Sequence, residues 1–310
     1  MIRHVDIKLH YACNNRCIHC VIADQRDAAM AKRGRDFRTT SEVVAELVDA
    51  ATKGFDVVTF TGGEPTLRRD LPELVQAARQ LGLKVGLQTN GRALSYAERR
   101  KRLSGMGVVF VVAIHGPDPE IHDLVTASPG AFEQTMQAIR GLVEAGEKVT
   151  AKVVISQVNM RHLPALAQLM VDTGVKRMNL TFPHALGLAR RGFDFVVPRY
   201  FEVMPFVHEA IDIFHVDGRN IVTEAIPLCL LGQHKDLASE NLYRAAIKSE
   251  VRQLDQDPRN WSDDRTGDGK AKGPQCVDCA LNQECEGVWK EYYDAFGGDE
   301  LIPVTLHPKS

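Results

Sequence analysis

Three cysteines, Cys13, Cys17 and Cys20, stand in a C-x3-C-x2-C run near the start of the chain. Three more, Cys276, Cys279 and Cys285, form a C-x2-C-x5-C run near its end, and Cys229 stands alone between them. Thiolates this close in sequence can meet on one metal centre without closing a long loop. Three ligands on a four-iron cubane leave one iron open, and the first run has no fourth cysteine nearby, so a fully ligated electron-transfer cluster fits it less well. Zinc is the competing reading, with His10 or His19 completing a tetrahedral set. Adding Cys229 to the second run gives four thiolates, the number that closes a cluster or a zinc ribbon. Alternatively, Cys229 is a buried reduced thiol that binds nothing.

The bulk of the chain agrees with metal chemistry in a soluble protein. Its 310 residues are 44% hydrophobic and 25% charged, with a formal net charge of -2. That composition carries no basic excess to follow a nucleic-acid backbone, so no nucleic acid is expected as partner. The opening MIRHVDIKLHYACNN lacks the apolar core of a signal peptide, and no run reaches the roughly 18 apolar residues of a membrane span. A cytoplasmic location with no membrane is the expectation. In that compartment thiols stay reduced, so seven cysteines in two tight groups plus one point to ligation rather than to disulfides.

The elements that must position these residues are legible as alternating units. Short β-branched runs at Val5–His10, Val57–Phe60, Lys84–Gln88, Val108–Ile114, Val149–Ser156 and Met178–Phe182 read as strands. Helical patterns open near Thr40, Asp70, Ser95, Gly130, Leu163 and Arg199. Six βα units imply a parallel sheet. After the strands come the cysteine loop, Thr61-Gly62-Gly63-Glu64-Pro65, Thr89-Asn90-Gly91, His115-Gly116-Pro117, Gln157-Val158-Asn159 and Pro183-His184-Ala185. In a parallel βα barrel such loops share the functional rim. The stretch from 250 to 275 is poor in aliphatic residues and rich in charge, Gly and Pro, and reads as a mobile connector.

A C-x3-C-x2-C loop after the first strand and Gly-Gly-Glu-Pro after the second together resemble the radical S-adenosylmethionine (SAM) superfamily, over roughly residues 1 to 214. The resemblance implies an α/β fold, a partial (β/α)6 TIM-like barrel. It implies a [4Fe-4S] cluster on Cys13, Cys17 and Cys20 whose open iron chelates SAM, reductive cleavage to a 5′-deoxyadenosyl radical, and a flavodoxin- or ferredoxin-type reductant. Gly62 and Gly63 would let the backbone approach a ligand closely, Glu64 would accept a hydrogen bond from the SAM ammonium, and Pro65 would fix the turn. His19 would stack on the adenine, and Asn14, Asn15 and Arg16 would face the anionic cluster. Thr89, Asn90, His115, Ser156 and Val158, with Asn159, would form the adenosine pocket.

The C-terminal cysteines with Cys229 resemble a twitch module, the shortened relative of SPASM, which implies one auxiliary [4Fe-4S] cluster. The position four after Cys285 is Trp289 and no later cysteine exists, so a second auxiliary cluster is not expected. The expected division is residues 1–215 for the barrel and 216–310 for the extension. The catalytic acid or base is not identified; His115, His122, Asp123, His184, Tyr200 and Glu224 are the candidates near the mouth. Twelve residues before Cys13 leave no room for a peptide-recognition domain, which ranks a small organic substrate ahead of a ribosomal peptide. An iron-sulfur electron carrier or sensor is the reading from another class.

Overall fold

The computed structural model describes residues 1–305; the last five residues of the expected extension, 306–310, lie outside them. Strands β1 (Ile2–Lys8), β2 (Val57–Thr61), β3 (Lys84–Thr89), β4 (Val109–Ala113), β5 (Lys148–Val154) and β6 (Arg177–Thr181) fall where six were expected. They lie side by side in chain order, every neighbouring pair parallel. The fold is a mixed α/β partial barrel.

The sheet extends further than the six expected units. β7 (Asn220–Glu224) pairs parallel with β6, and β8 (Ile247–Arg252) pairs parallel with β1 at the opposite edge, followed by a short antiparallel β9 (Arg259–Asn260). The expected boundary at 215/216 therefore falls inside one continuous sheet. The charge-rich stretch read as a mobile connector supplies the end of β8, β9, the helix Trp261–Thr266 and β10 (Lys270–Ala271). β10 pairs antiparallel with β11 (Val288–Trp289), and the helix Lys290–Phe296 follows.

Alternation along each strand sorts the two faces. On β1, Val5 and Ile7 are fully buried and, with Leu9 just beyond, join the core with Val58, Phe60, Leu87, Phe110 and Val153 from its neighbours. Helices such as Leu71–Gln80, which buries Leu71, Leu74, Val75 and Ala78, cover that face. The opposite register is polar. His4 sits between Thr59 (2.8 Å) and Ser249 (3.0 Å), and Lys152 on β5 reaches Glu224 on β7 at 3.3 Å. A polar inner face against an apolar outer one is what a barrel with an internal site requires. No helix among the described residues is long and apolar enough to cross a membrane.

Arg252 fixes β8 to the helix Thr40–Thr52. Its guanidinium is 1% exposed and meets Glu46 and Glu250 at 2.7 Å and Asp49 at 2.9 Å. Substituting Arg252→Met leaves three carboxylates without their shared cation. The expected result is a fall of about 3 kcal/mol in unfolding free energy, read from urea titration; an unchanged midpoint would show that the pairing contributes nothing.

Candidate functional site

The cysteine loop follows β1 directly, and its course is set by backbone contacts. Leu9 N donates to Thr61 O (2.9 Å), Gly63 N to His10 O (2.6 Å) and Glu64 N to Ala12 O (2.9 Å), so the β1–β2 pairing continues past both strand ends. A Cβ at Gly62 would lie 2.3 Å from His10 O, and one at Gly63 2.0 Å from Ala12 O. Gly62 also sits at φ +128°, a conformation that side chains disfavour. The close approach that these glycines permit is therefore to the chain's own segment leading into Cys13.

Glu64 is 1% exposed. Its carboxylate accepts from Thr66 N (2.9 Å) and Thr66 Oγ1, from Thr89 Oγ1 (2.6 Å) and from Asn90 N (2.7 Å). Burial raises its pKa while these donors from Thr66, Thr89 and Asn90 pull it down. Pro65 opens the single 3-10 turn that aims the Thr66 donors at the carboxylate. Thr89 and Asn90, expected in an adenosine pocket, have partners within the chain. Asn90 Nδ2 donates to Asn14 Oδ1 at 2.7 Å and lies 3.8 Å from Cys13 Sγ.

Arg92 completes this hold, and the sequence reading missed it. Its guanidinium donates to Asn14 O, to Asn15 Oδ1 (2.9 Å) and to Gln134 Oε1 (2.6 Å). The available signal was a cation just past the Thr89-Asn90-Gly91 turn. Asn15 N points at Cys13 Sγ (3.4 Å), while Arg16 N and Ile18 N donate to the carbonyls of Thr126 and Val125. Arg16 itself is exposed. Burial pushes the Cys17 thiol up to about 12, with the charges of Cys13 and Cys20 adding to the shift.

Around the next strand ends, His19 stands edge-on to His115 (4.7 Å), which stacks on His122 (5.8 Å). Burial lowers His19 and His122 to about 4 and His115 well below its ordinary value, so all three are neutral at pH 7. One atom each of Cys17, His19 and His115 lies within 4.8 Å of the other two. Asn159 ties this rim together, donating to His115 O and Val154 O (2.9 Å each) and accepting from Ser156 N (2.7 Å). Ser156 is fully buried and Val158 half-buried.

The acid-base candidates separate into two groups. Asp123 caps the next helix through Gly130 N (2.6 Å) and Phe132 N (2.7 Å), and Tyr200 is a core ring stacked on Phe182 at 4.0 Å with its hydroxyl on Ala225 O. Both are occupied structurally. Glu224 ends β7, and His184 lies just past the end of β6. Burial would raise Glu224, but Lys152 and Arg265 hold it at about 2. His184 stacks on Trp289 at 3.8 Å and 3°.

At the C-terminal end, Cys229, Cys276, Cys279 and Cys285 line one cavity with Lys272 and Ile302. Burial first, then Cys285, pushes the Cys229 thiol up to about 11. Val304 N points at Cys279 Sγ (3.3 Å) and Gly287 N at Cys285 Sγ (3.4 Å).

Comparison with known proteins gives a family and several relatives. The Radical SAM superfamily model matches residues 7–181. Over 302 residues the chain is 28% identical to the Fe-coproporphyrin III synthase of Methanosarcina barkeri, covering 94% of this chain and 70% of that protein. It is 29% identical over 191 residues to a probable GTP 3′,8-cyclase of Saccharolobus islandicus, covering 60% of this chain and 59% of that protein. In fold it is similar to Streptococcus suis SuiB, solved with S-adenosylmethionine and with its precursor peptide SuiA. The identity is 17%, the TM-scores are 0.65 and 0.67, and the match covers 97% of this chain and 76% or 75% of that one.

The crossing of residues 9–12 over 62–64 makes a direct prediction. Gly63→Ala must force the two backbones apart, so a stability loss of about 1–3 kcal/mol is expected, with less iron per chain after reconstitution. Gly192→Ala, whose nearest neighbours stand at an ordinary 3.6 Å, is the control. Equal iron content and thermal midpoints in both variants would remove the crossing as the determinant of loop position.

Proposed function

The chain belongs to the radical SAM superfamily of enzymes, and from that membership we propose that it abstracts a hydrogen atom from an organic substrate inside the barrel. When bound, a [4Fe-4S] cluster and SAM supply the electron and the 5′-deoxyadenosyl radical for this chemistry. The residues suit those groups. Cys13, Cys17 and Cys20 are free thiols on one loop, with Asn15 N and Asn90 Nδ2 directed at Cys13 Sγ as donors to a thiolate. His19 Nδ1 is buried without a partner among the described residues, a polar atom beside the loop that an adenine can satisfy.

In this reading Glu64, Thr89, Asn90 and Arg92 hold the cysteine loop rigid. Gly62 and Gly63 offer backbone to the SAM ammonium, and Glu64 lends its negative field from below. His19, His115, Ser156 and Val158 close on the adenosine. The neutral histidines and the apolar outer wall keep water from the radical. A flavodoxin- or ferredoxin-type protein is the proposed electron source. The observation that carries the proposal is the three-thiol loop locked onto the Gly62–Glu64 turn.

The substrate proposed is a small organic molecule. Support comes from the coproporphyrin synthase, whose likeness runs through nearly the whole chain. A ribosomal peptide is the second reading, favoured by the fold shared with SuiB, which binds its precursor peptide. The four C-terminal cysteines facing one cavity support an auxiliary [4Fe-4S] cluster in a twitch-like layer spanning residues after 215. A carrier that only moves electrons is the competing class.

Reconstituted, dithionite-reduced protein with SAM is expected to form 5′-deoxyadenosine, and Cys13→Ala, Cys17→Ala or Cys20→Ala to abolish it while the C-terminal metal stays bound. No product from protein with intact cluster absorbance would favour the carrier. For Cys229, ligation and hydrogen-atom donation to a substrate radical give opposite results. As ligand, Cys229→Ala loses iron or alters the auxiliary spectrum. Full iron, an unchanged spectrum and SAM cleavage without turnover would instead mark Cys229 as the donor.

A further inference from the structure

The β10–β11 hairpin packs against the loop after β6, where Trp289 stacks on His184, and two of its buried donors have no acceptor among the described residues. Lys270 and Trp289 are direct partners in the hairpin register. Lys270 Nζ lies 3.8 Å from the Trp289 ring, and both Lys270 Nζ and Trp289 Nε1 are buried without a hydrogen-bond partner among the described residues. Unsatisfied buried donors are costly, and a paired set marks a place where something else accepts.

The neighbouring carboxylates of Glu224, Glu240 and Glu286 are already engaged. Glu224 is held by Lys152 (3.3 Å) and Thr181 (3.0 Å). Glu240 accepts from Arg265 and Ala225 N, each at 2.8 Å, and Glu286 accepts from Arg265 at 2.8 and 3.1 Å. Glu291 Oε2 lies 3.4 Å from His184 Nε2 and makes no hydrogen bond among the described residues. These contacts leave the Lys270 ammonium facing charges it does not bond. Burial lowers it to about 8 against the pull of Glu240, so it remains mostly cationic at neutral pH.

We propose that Lys270 and Trp289 form an anion-recognition point for the substrate, binding a carboxylate or phosphate oxygen through Nζ and Nε1 and so selecting acid-bearing substrates. His184, stacked on Trp289 at 3.8 Å, fixes the indole against the end of β6. This inference rests on the barrel mouth being the substrate's place, but its test needs no turnover.

The chain has two tryptophans, so Trp261→Phe leaves Trp289 as the sole reporter. In cluster-loaded protein of that background, iodide is expected to quench Trp289 emission and caesium to leave it unchanged. Lys270→Met is expected to weaken iodide quenching by about tenfold, the loss of one charged hydrogen bond, and Lys270→Arg to retain it. Acetate or inorganic phosphate should relieve the quenching, and whichever does so at lower concentration identifies the group. The proposal falls if iodide does not quench, if caesium quenches equally, if Lys270→Met matches the parent, or if neither oxyanion competes. Loss of 5′-deoxyadenosine formation with intact anion binding would instead overturn the radical reading alone.

Discussion

The constraint on which the site depends is the contact of two backbones with no side chain between them. Residues 9–12 and 62–64 continue the β1–β2 ladder beyond the strands, at N···O distances of 2.6 to 2.9 Å. Only glycine fits at 62 and 63. That crossing carries the chain across the Glu64 turn and delivers Cys13 beside the end of β3. From there Asn90 and Arg92 hold Asn14 and Asn15. Strand order thus becomes loop position: β1 carries the thiols, β2 the turn beneath them and β3 the residues that pin them.

A buried carboxylate is an expensive way to join these pieces, and its cost explains its surroundings. Four donors from three residues converge on Glu64, which offsets its lost hydration. The pKa nevertheless remains above the ordinary value, because desolvation outweighs the donors. Across the barrel the balance differs. Glu224, 14% exposed, sits at about 2, since Lys152 and Arg265 bring full positive charges. One acid is fixed by neutral dipoles and the other by cations, so the two sides of the lumen present different fields to whatever occupies it.

Much of this was legible in the sequence because it is local. Hydrophobic alternation located the first six strands, and the Cys13–Cys20 spacing with Gly62–Pro65 located the loop and its support. The remainder depends on contacts far apart in sequence. β8 reads as IKSEVR, with little apolar content, because its partner is β1 and its buried arginine is neutralised by Glu46 and Asp49, about two hundred positions earlier. Arg265 and Lys270 lie in a stretch whose charge looks solvated; only the fold shows those charges facing Glu240, Glu286 and Glu224. The need for glycine at 62 and 63 was clear from the sequence, whereas their close contact with residues 10–12 shows only in the fold.

The same long-range pairing binds the two cysteine groups into one mechanical unit. Beyond β8, Arg38 donates to Gln253 O (2.6 Å), Lys32 to Asp255 O (2.6 Å), and the Tyr11 hydroxyl donates to Asp255 (3.1 Å) while accepting from Leu254 N (3.3 Å). Tyr11 is two residues from Cys13. The segment that leads on to Cys276 is therefore clamped to the entry of the first cysteine loop, in the satellite apolar cluster of Tyr11, Ala29 and Leu254. Toward the other end of the sheet, Tyr200 N donates to the Tyr292 hydroxyl, and the Phe182, Tyr200 and Tyr292 rings seat the helix Lys290–Phe296 beside the end of β6. The C-terminal layer is thus tied to the sheet near both of its ends. Displacing its cysteines relative to Cys13, Cys17 and Cys20 would mean unpairing β8 from β1 or breaking an aromatic stack in the core.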